Sequence, residues 1–179
     1  MINKKELESL LSNAEKIIDK KEQMAKDCVL SLLYFKYIND IYNWHVKRIK
    51  EQFAGDERSI KGRINRLPLA FSEDSLFDYF YKNVSQPNIT EIVKNGMNKF
   101  VNSGGNTAWL ASIFTAINLD YVAGYYLETL KTDTLRKLIE TFNAYDLSGK
   151  EEYDLFNTAF YYMNGWKFSF ESFRDYVGM

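Results

Sequence analysis

Proline, cysteine and histidine are all scarce in this chain, and it has no apolar run long enough to cross a bilayer. The segment that comes nearest, "VLSLLYFKYINDIYN" from Val29 to Asn43, carries Lys36 in its middle. Only Cys28 to Phe35 lie between the charges of Asp27 and Lys36, whereas a spanning helix needs about 20 predominantly apolar residues. The opening "MINKKELESLL" is charged and then amphipathic, without the apolar block and small-residue cleavage site of a secretory signal. A cytoplasmic protein without membrane contact is therefore expected. Cys28 is the only cysteine, so an internal disulfide is excluded, and inside an apolar run its thiol reads as a small buried hydrophobe. His45 is the only histidine. One His and one Cys are too few for a zinc site, and on the tyrosine-bearing stripe of a helix His45 reads as a packing or solvent-facing residue rather than a catalytic base.

What is present is ordinary for a globular domain. The 179 residues are 46% hydrophobic and 26% charged, and a chain of that length buries about 70% of its unfolded surface around one core. A single domain spanning 1–179 is the expectation. Aromatic residues make up 16%, with 13 Tyr and 13 Phe, which suits surfaces that are apolar yet need a hydrogen bond. The net charge of -1 conceals an uneven distribution: residues 41–66 hold seven basic and three acidic side chains. The excess comes from Lys47, Arg48, Lys50, Arg58, Lys61, Arg63 and Arg66. Such a segment either faces a polyanion or is a solvated helix end and loop.

With only Pro68 and Pro87 to interrupt helices, and little strand-like alternation, the pattern is helical throughout. Leu7, Leu10, Leu11, Ala14, Ile17 and Ile18 recur at spacings of three and four. A second helix is expected from near Lys21 to about Phe53. Its stripe of Leu30, Leu33, Tyr34, Tyr37, Ile38, Ile41 and Tyr42 is widened by Val29, Leu32 and Phe35, so it is expected to be the central post, contacted from several sides. Lys36 within it would snorkel to the rim or meet a carboxylate.

Gly55 and Gly62 suggest a loop leading to Pro68. Ser72 is expected to cap "EDSLFDYFYKNV", with Glu73 and Asp74 in its first turn. Asn88 and Glu91 open "ITEIVKNGMNKFVN", which "SGGN" ends. Ala108–Ile117 and Tyr121–Leu130 are short apolar segments. Thr132 or Asp133 caps a helix with Leu135, Leu138, Ile139 and Phe142 on one face, and Ser148 with Glu151 forms a capping box for "YDLFNTAFYYMN". The expected fold is all-α, a globular bundle of about eight to ten helices.

Catalytic motifs are missing. "SGKEE" lacks the upstream glycine of a phosphate loop, leaving Gly149 and Lys150 as a turn and cap. Glu151 and Glu152 adjoin and point apart on a helix.

In order along the chain, two segments resemble one family. "VLSLLYFKYINDIY" is similar to the Leu-Leu-Phe-Leu-Lys-Tyr-Ile-Ser-Asp core of the N-terminal helical domain of type I restriction-modification methyltransferase subunits. The matching residues are Leu32, Leu33, Phe35, Lys36, Tyr37, Ile38 and Asp40, with Tyr34 and Asn39 as variations. "DTLRKLIETFNAYDLS" followed by "DLFNTAFYYMN" resembles that domain's closing pattern, and the resemblance spans about Leu7 to Asn164. It implies a part in site-specific DNA adenine-N6 methylation. In such systems the helical domain helps clasp DNA and packs against a specificity subunit and other modification or restriction subunits. A second domain binds S-adenosylmethionine and takes the flipped adenine.

That second domain's motifs are not in this sequence. Pro68 and Pro87 are far apart, which excludes the Asn-Pro-Pro-Phe tetrapeptide, and the Gly-Glu-Phe-Tyr-Thr-Pro segment is absent. Gly104 and Gly105 follow an amphipathic helix rather than a strand, so they read as its terminating loop. The chain is thus expected to be an N-terminal fragment or a stand-alone relative, noncatalytic alone and without a cofactor of its own. Candidate DNA contacts are Lys47, Arg48, Lys50, Lys61, Arg63 and Arg66. Candidate docking residues are Phe160, Tyr161, Tyr162, Trp166, Phe168 and Phe170, most of which also read as core; Trp109 beside Leu110, Ile113 and Phe114 reads as interior. The alternative is an α-helical protein–protein interaction module without DNA contact.

Overall fold

Main-chain hydrogen bonds close within single segments throughout the described part of the chain. A computed structural model describes residues 3–18, 23–103 and 127–148, and these form seven α-helices and one 3-10 turn, with no strand among them. The helices are α1 (Lys4–Ile17), α2 (Gln23–Gln52), α3 (Glu57–Ile64), α4 (Phe77–Lys82), α5 (Ile89–Asn102), α6 (Leu127–Thr129) and α7 (Thr132–Asn143). The 3-10 turn is Glu73–Ser75. The all-α class is as expected. The last expected helix and the apolar segment 108–117 lie outside the described residues, as do Gly104, Gly105, Trp109, Gly149 and Glu151.

Helix α1 starts on a capping box. The Asn3 side chain accepts from the Glu6 N–H at 3.0 Å, and the Asn3 N–H donates to Glu6 Oε2 at 2.7 Å, satisfying two donors that a helix start leaves open. Leu7, Leu10, Leu11 and Ala14 then face inward and are buried.

At 30 residues, α2 is roughly 45 Å long, and every residue from 28 to 39 is buried. A helix buried on all sides needs no apolar stripe, only apolar residues all round, which is why this run is so greasy. It packs against α3, α4 and α7. The shorter α7 touches α1, α2, α4 and α5. Its Leu135, Leu138, Ile139 and Phe142 are fully buried, so α2 and α7 together organise the core. Phe35 of α2 stacks on Phe80 of α4 at 5.6 Å between ring centroids and meets Phe100 of α5 edge-on at 5.4 Å. Phe71 stacks on Phe100 at 4.2 Å.

Three local expectations differ from the structure. Gly62 lies inside α3 and not in a loop. Ser72 precedes the 3-10 turn instead of capping a helix; its hydroxyl donates to Asp74 Oδ1 at 2.6 Å, and α4 begins only at Phe77. The cap position of α7 is Lys131, one residue ahead of Thr132; Asn88 does precede α5 as expected, without a side-chain cap bond. Helices α4, α5 and α7 thus begin without a capping side-chain bond.

Candidate nucleic-acid interface

The basic segment folds into an elbow between α2 and α3. After Gln52 the chain turns through Gly55, whose φ of 90° lies in the left-handed region open to glycine. Asp56 then starts α3: its carboxylate accepts from the Ser59 N–H at 3.0 Å and the Ser59 hydroxyl at 2.6 Å. Those bonds hold the Asp56 carboxyl below its ordinary pKa. Ile60 is buried and anchors α3, which packs back against α2. The two acidic residues Asp56 and Glu57 thus sit at the start of α3, while Lys61 and Arg63 occupy its last turn, the charge order that a helix dipole favours.

All six candidate DNA contacts, Lys47, Arg48, Lys50, Lys61, Arg63 and Arg66, are exposed. Two of the guanidinium groups are laid on aromatic rings. Arg48 sits 4.7 Å from the Trp44 ring centroid, one turn earlier on α2, and Arg63 sits 4.1 Å from the Phe53 ring centroid. Each of these pairings contributes about 0.5–1 kcal/mol at an exposed site, enough to bias the orientation of a side chain that otherwise samples many rotamers. His45 meets Trp44 edge-on at 4.9 Å. Its burial, and then the nearby Arg48 charge, push its pKa below the usual histidine value, so it adds no positive charge at neutral pH. Lys47 and Glu51 approach only to 4.0 Å, both exposed, a pairing of little energetic weight.

The structure brings Arg63 to the α2 side of the elbow but separates it from Lys61. Two residues apart on a helix means about 200° of rotation, so Lys61 and Arg63 leave α3 on opposite flanks. Sequence reasoning did not single out Trp44 and Phe53 as supports. The i, i+4 spacing of Trp44 to Arg48 and the place of Phe53 before Gly55 were the available signals, but the Phe53–Arg63 contact across the turn depends on how α3 packs. The six docking candidates, Phe160, Tyr161, Tyr162, Trp166, Phe168 and Phe170, lie outside the described residues.

A second polar feature is internal. Lys36 Nζ donates to both carboxylate oxygens of Asp40, at 2.6 and 2.5 Å, and to the Tyr145 carbonyl at 2.9 Å. Asp40 Oδ2 also accepts from the Leu147 N–H at 2.8 Å. The Phe77 ring lies 5.6 Å from the ammonium. Lys36 therefore meets a carboxylate, with a side chain only 6% exposed. Burial pushes the Asp40 carboxyl above its ordinary pKa, opposed by the Lys36 ammonium and the Leu147 N–H. Cys28 is fully buried, and its thiol is pushed up to about 12, by burial first and the Asp27 charge second.

Between the 3-10 turn, α4 and α5 runs a groove of about 440 Å³, lined by residues including Asp74, Tyr79, Asn95, Asn98 and Lys99. Lys99 pairs with Asp74 within it. Among the described residues no group of three or more His, Cys, Asp or Glu side chains is placed to hold a metal ion, and no helix is long and apolar enough to cross a membrane.

The family model for the HsdM N-terminal domain matches residues 8–142, from the second turn of α1 to the last turn of α7. The chain belongs to this family. HsdM N-terminal domains are the N-terminal domains of the modification subunits of type I restriction-modification systems, and they are distinct from the catalytic domain. No curated protein and no solved structure matches the chain. The matched span contains both polar features on α2, the Arg48–Trp44 pairing and the Lys36–Asp40 pair.

Proposed function

We propose that this HsdM N-terminal domain is a noncatalytic clasp, which helps hold DNA and docks partner subunits during site-specific adenine-N6 methylation. The observation that carries the DNA reading is the α2–α3 elbow, whose two helices carry exposed cations and where two guanidinium groups rest on aromatic rings. Lysines and arginines so placed meet phosphates and not base edges. Their affinity is then strongly salt-dependent and largely indifferent to sequence. Recognition of the target falls to the specificity subunit, and S-adenosylmethionine to the catalytic domain. Other modification or restriction subunits complete the set of partners, and the work takes place in the cytoplasm.

The test is titration of the chain with labelled duplexes of unrelated sequence at several salt concentrations. An Arg48→Glu/Arg63→Glu variant should bind all duplexes more weakly, with a salt slope shallower by about 0.9 for each phosphate that is no longer neutralised. A Lys137→Glu control, an exposed change on α7, should behave like the parent. No binding of the parent chain at low salt would remove DNA contact and leave a module that touches protein alone.

A further inference from the structure

We infer that the Lys36–Asp40 pair is a positional latch, which fixes the path by which the chain leaves α7 by laying residues 145–147 against the middle of α2. A buried ion pair is a weak source of net stability, because removing two charges from water costs about as much as their attraction returns. The presence of this one at the end of twelve consecutive buried residues is better explained by what it holds. Beyond their mutual bond, Lys36 and Asp40 each bind one main-chain group past the end of α7. The ammonium donates to the Tyr145 carbonyl at 2.9 Å, and the carboxylate accepts from the Leu147 N–H at 2.8 Å. A donor and an acceptor, one helical turn apart on α2, thus match an acceptor and a donor two residues apart on the outgoing chain. Those main-chain groups recur at every residue, so side chains fix the register: a shift of one residue would bring the exposed Asp146 into the buried place of Leu147.

The neighbouring Asp146 carboxylate does not compete for the position. It turns away, accepting from the Ser148 N–H and hydroxyl at 2.9 and 2.7 Å. The latch accounts for the two charged residues in an otherwise apolar and aromatic motif. It does not depend on the DNA reading.

Native-state hydrogen exchange on two neutral variants of the full chain tests it. In Lys36→Met/Asp40→Leu both charges and the acceptor are gone. The core should still unfold cooperatively near the parent's denaturant midpoint, while protection of the Leu147 N–H relative to Leu138 on α7 falls about 10- to 100-fold, the range for removing a hydrogen bond to a charged acceptor. In Lys36→Met/Asp40→Asn an amide oxygen remains for the Leu147 N–H, and its protection should return to within a few-fold of the parent. The inference is overturned by undiminished Leu147 protection in the leucine variant, by equal losses in both variants, or by a leucine variant without a cooperative transition.

Discussion

Lys36 and Asp40 are most informative when one is removed without the other. Lys36→Met leaves a carboxylate buried with a single N–H donor, and breaking a buried pair in this way costs about 3–5 kcal/mol. The loss should depend on pH with a definite sign. The Asp40 carboxyl already lies above its ordinary pKa in the folded chain, chiefly through burial, and without the Lys36 ammonium it rises further. A carboxyl whose folded pKa exceeds its unfolded one, about 4, stabilises the fold below that value and loses the contribution as pH climbs through the folded pKa. Urea midpoints of Lys36→Met should therefore sit nearest the parent in acid and fall away toward neutrality. A deficit that shrinks with rising pH would contradict the assignment. Lys36 also marks where sequence reasoning stopped: a lysine in an apolar run signals a nearby carboxylate, and Asp40 at the i+4 position was visible. Tyr145 and Leu147 were not, because main-chain partners leave no signature in side-chain identity.

At the scale of elements, helices whose burial is periodic were the legible ones. The expected span of α2, near Lys21 to about Phe53, lies within two residues of the observed Gln23–Gln52, and all four expected core positions of α7 are buried. α3 was misread because Gly55 and Gly62 suggested a loop, although Asp56 and Ser59, with Ile60 and Ile64 four apart, form a capped amphipathic turn. Gly96 is an element-scale feature that no periodicity reveals. A Cβ built there would lie 2.7 Å from the Asp74 carbonyl and 2.6 Å from Phe80 Cζ, so α5 approaches the 3-10 turn and α4 more closely than any side chain permits. Despite the better helix propensity of alanine, Gly96→Ala should destabilise by about 1–3 kcal/mol through overpacking, read as a lower midpoint with an unchanged denaturant slope. Arg136 ties α7 to the α4–α5 connection, donating to the Val84 and Gln86 carbonyls, each at 3.0 Å. Arg136→Ala should cost about 0.5–1.5 kcal/mol, since the Val84 acceptor is only part-buried and water can replace the donor at the exposed Gln86, and Arg136→Lys should recover only part of it, since an ammonium lacks the planar fork.

For the molecule as a whole, charge and burial divide along α2. Its first two-thirds are enclosed by neighbouring helices, and its final turns carry exposed cations out to the elbow. The sequence showed that division as a greasy run followed by a basic one, but whether the basic residues share a face depended on the elbow's geometry, which separates Lys61 from Arg63. Cys28, near the start of the enclosed part, has a consequence for the entire fold. Its thiol is the only one in the chain, is wholly covered, and is protonated at neutral pH because its pKa is about 12. Maleimide reagents attack thiolate, so alkylation of the intact protein should be slow and should accelerate in step with opening of the core as urea is added. The chain thus carries its own clock for spontaneous unfolding, readable by mass spectrometry without any engineered probe.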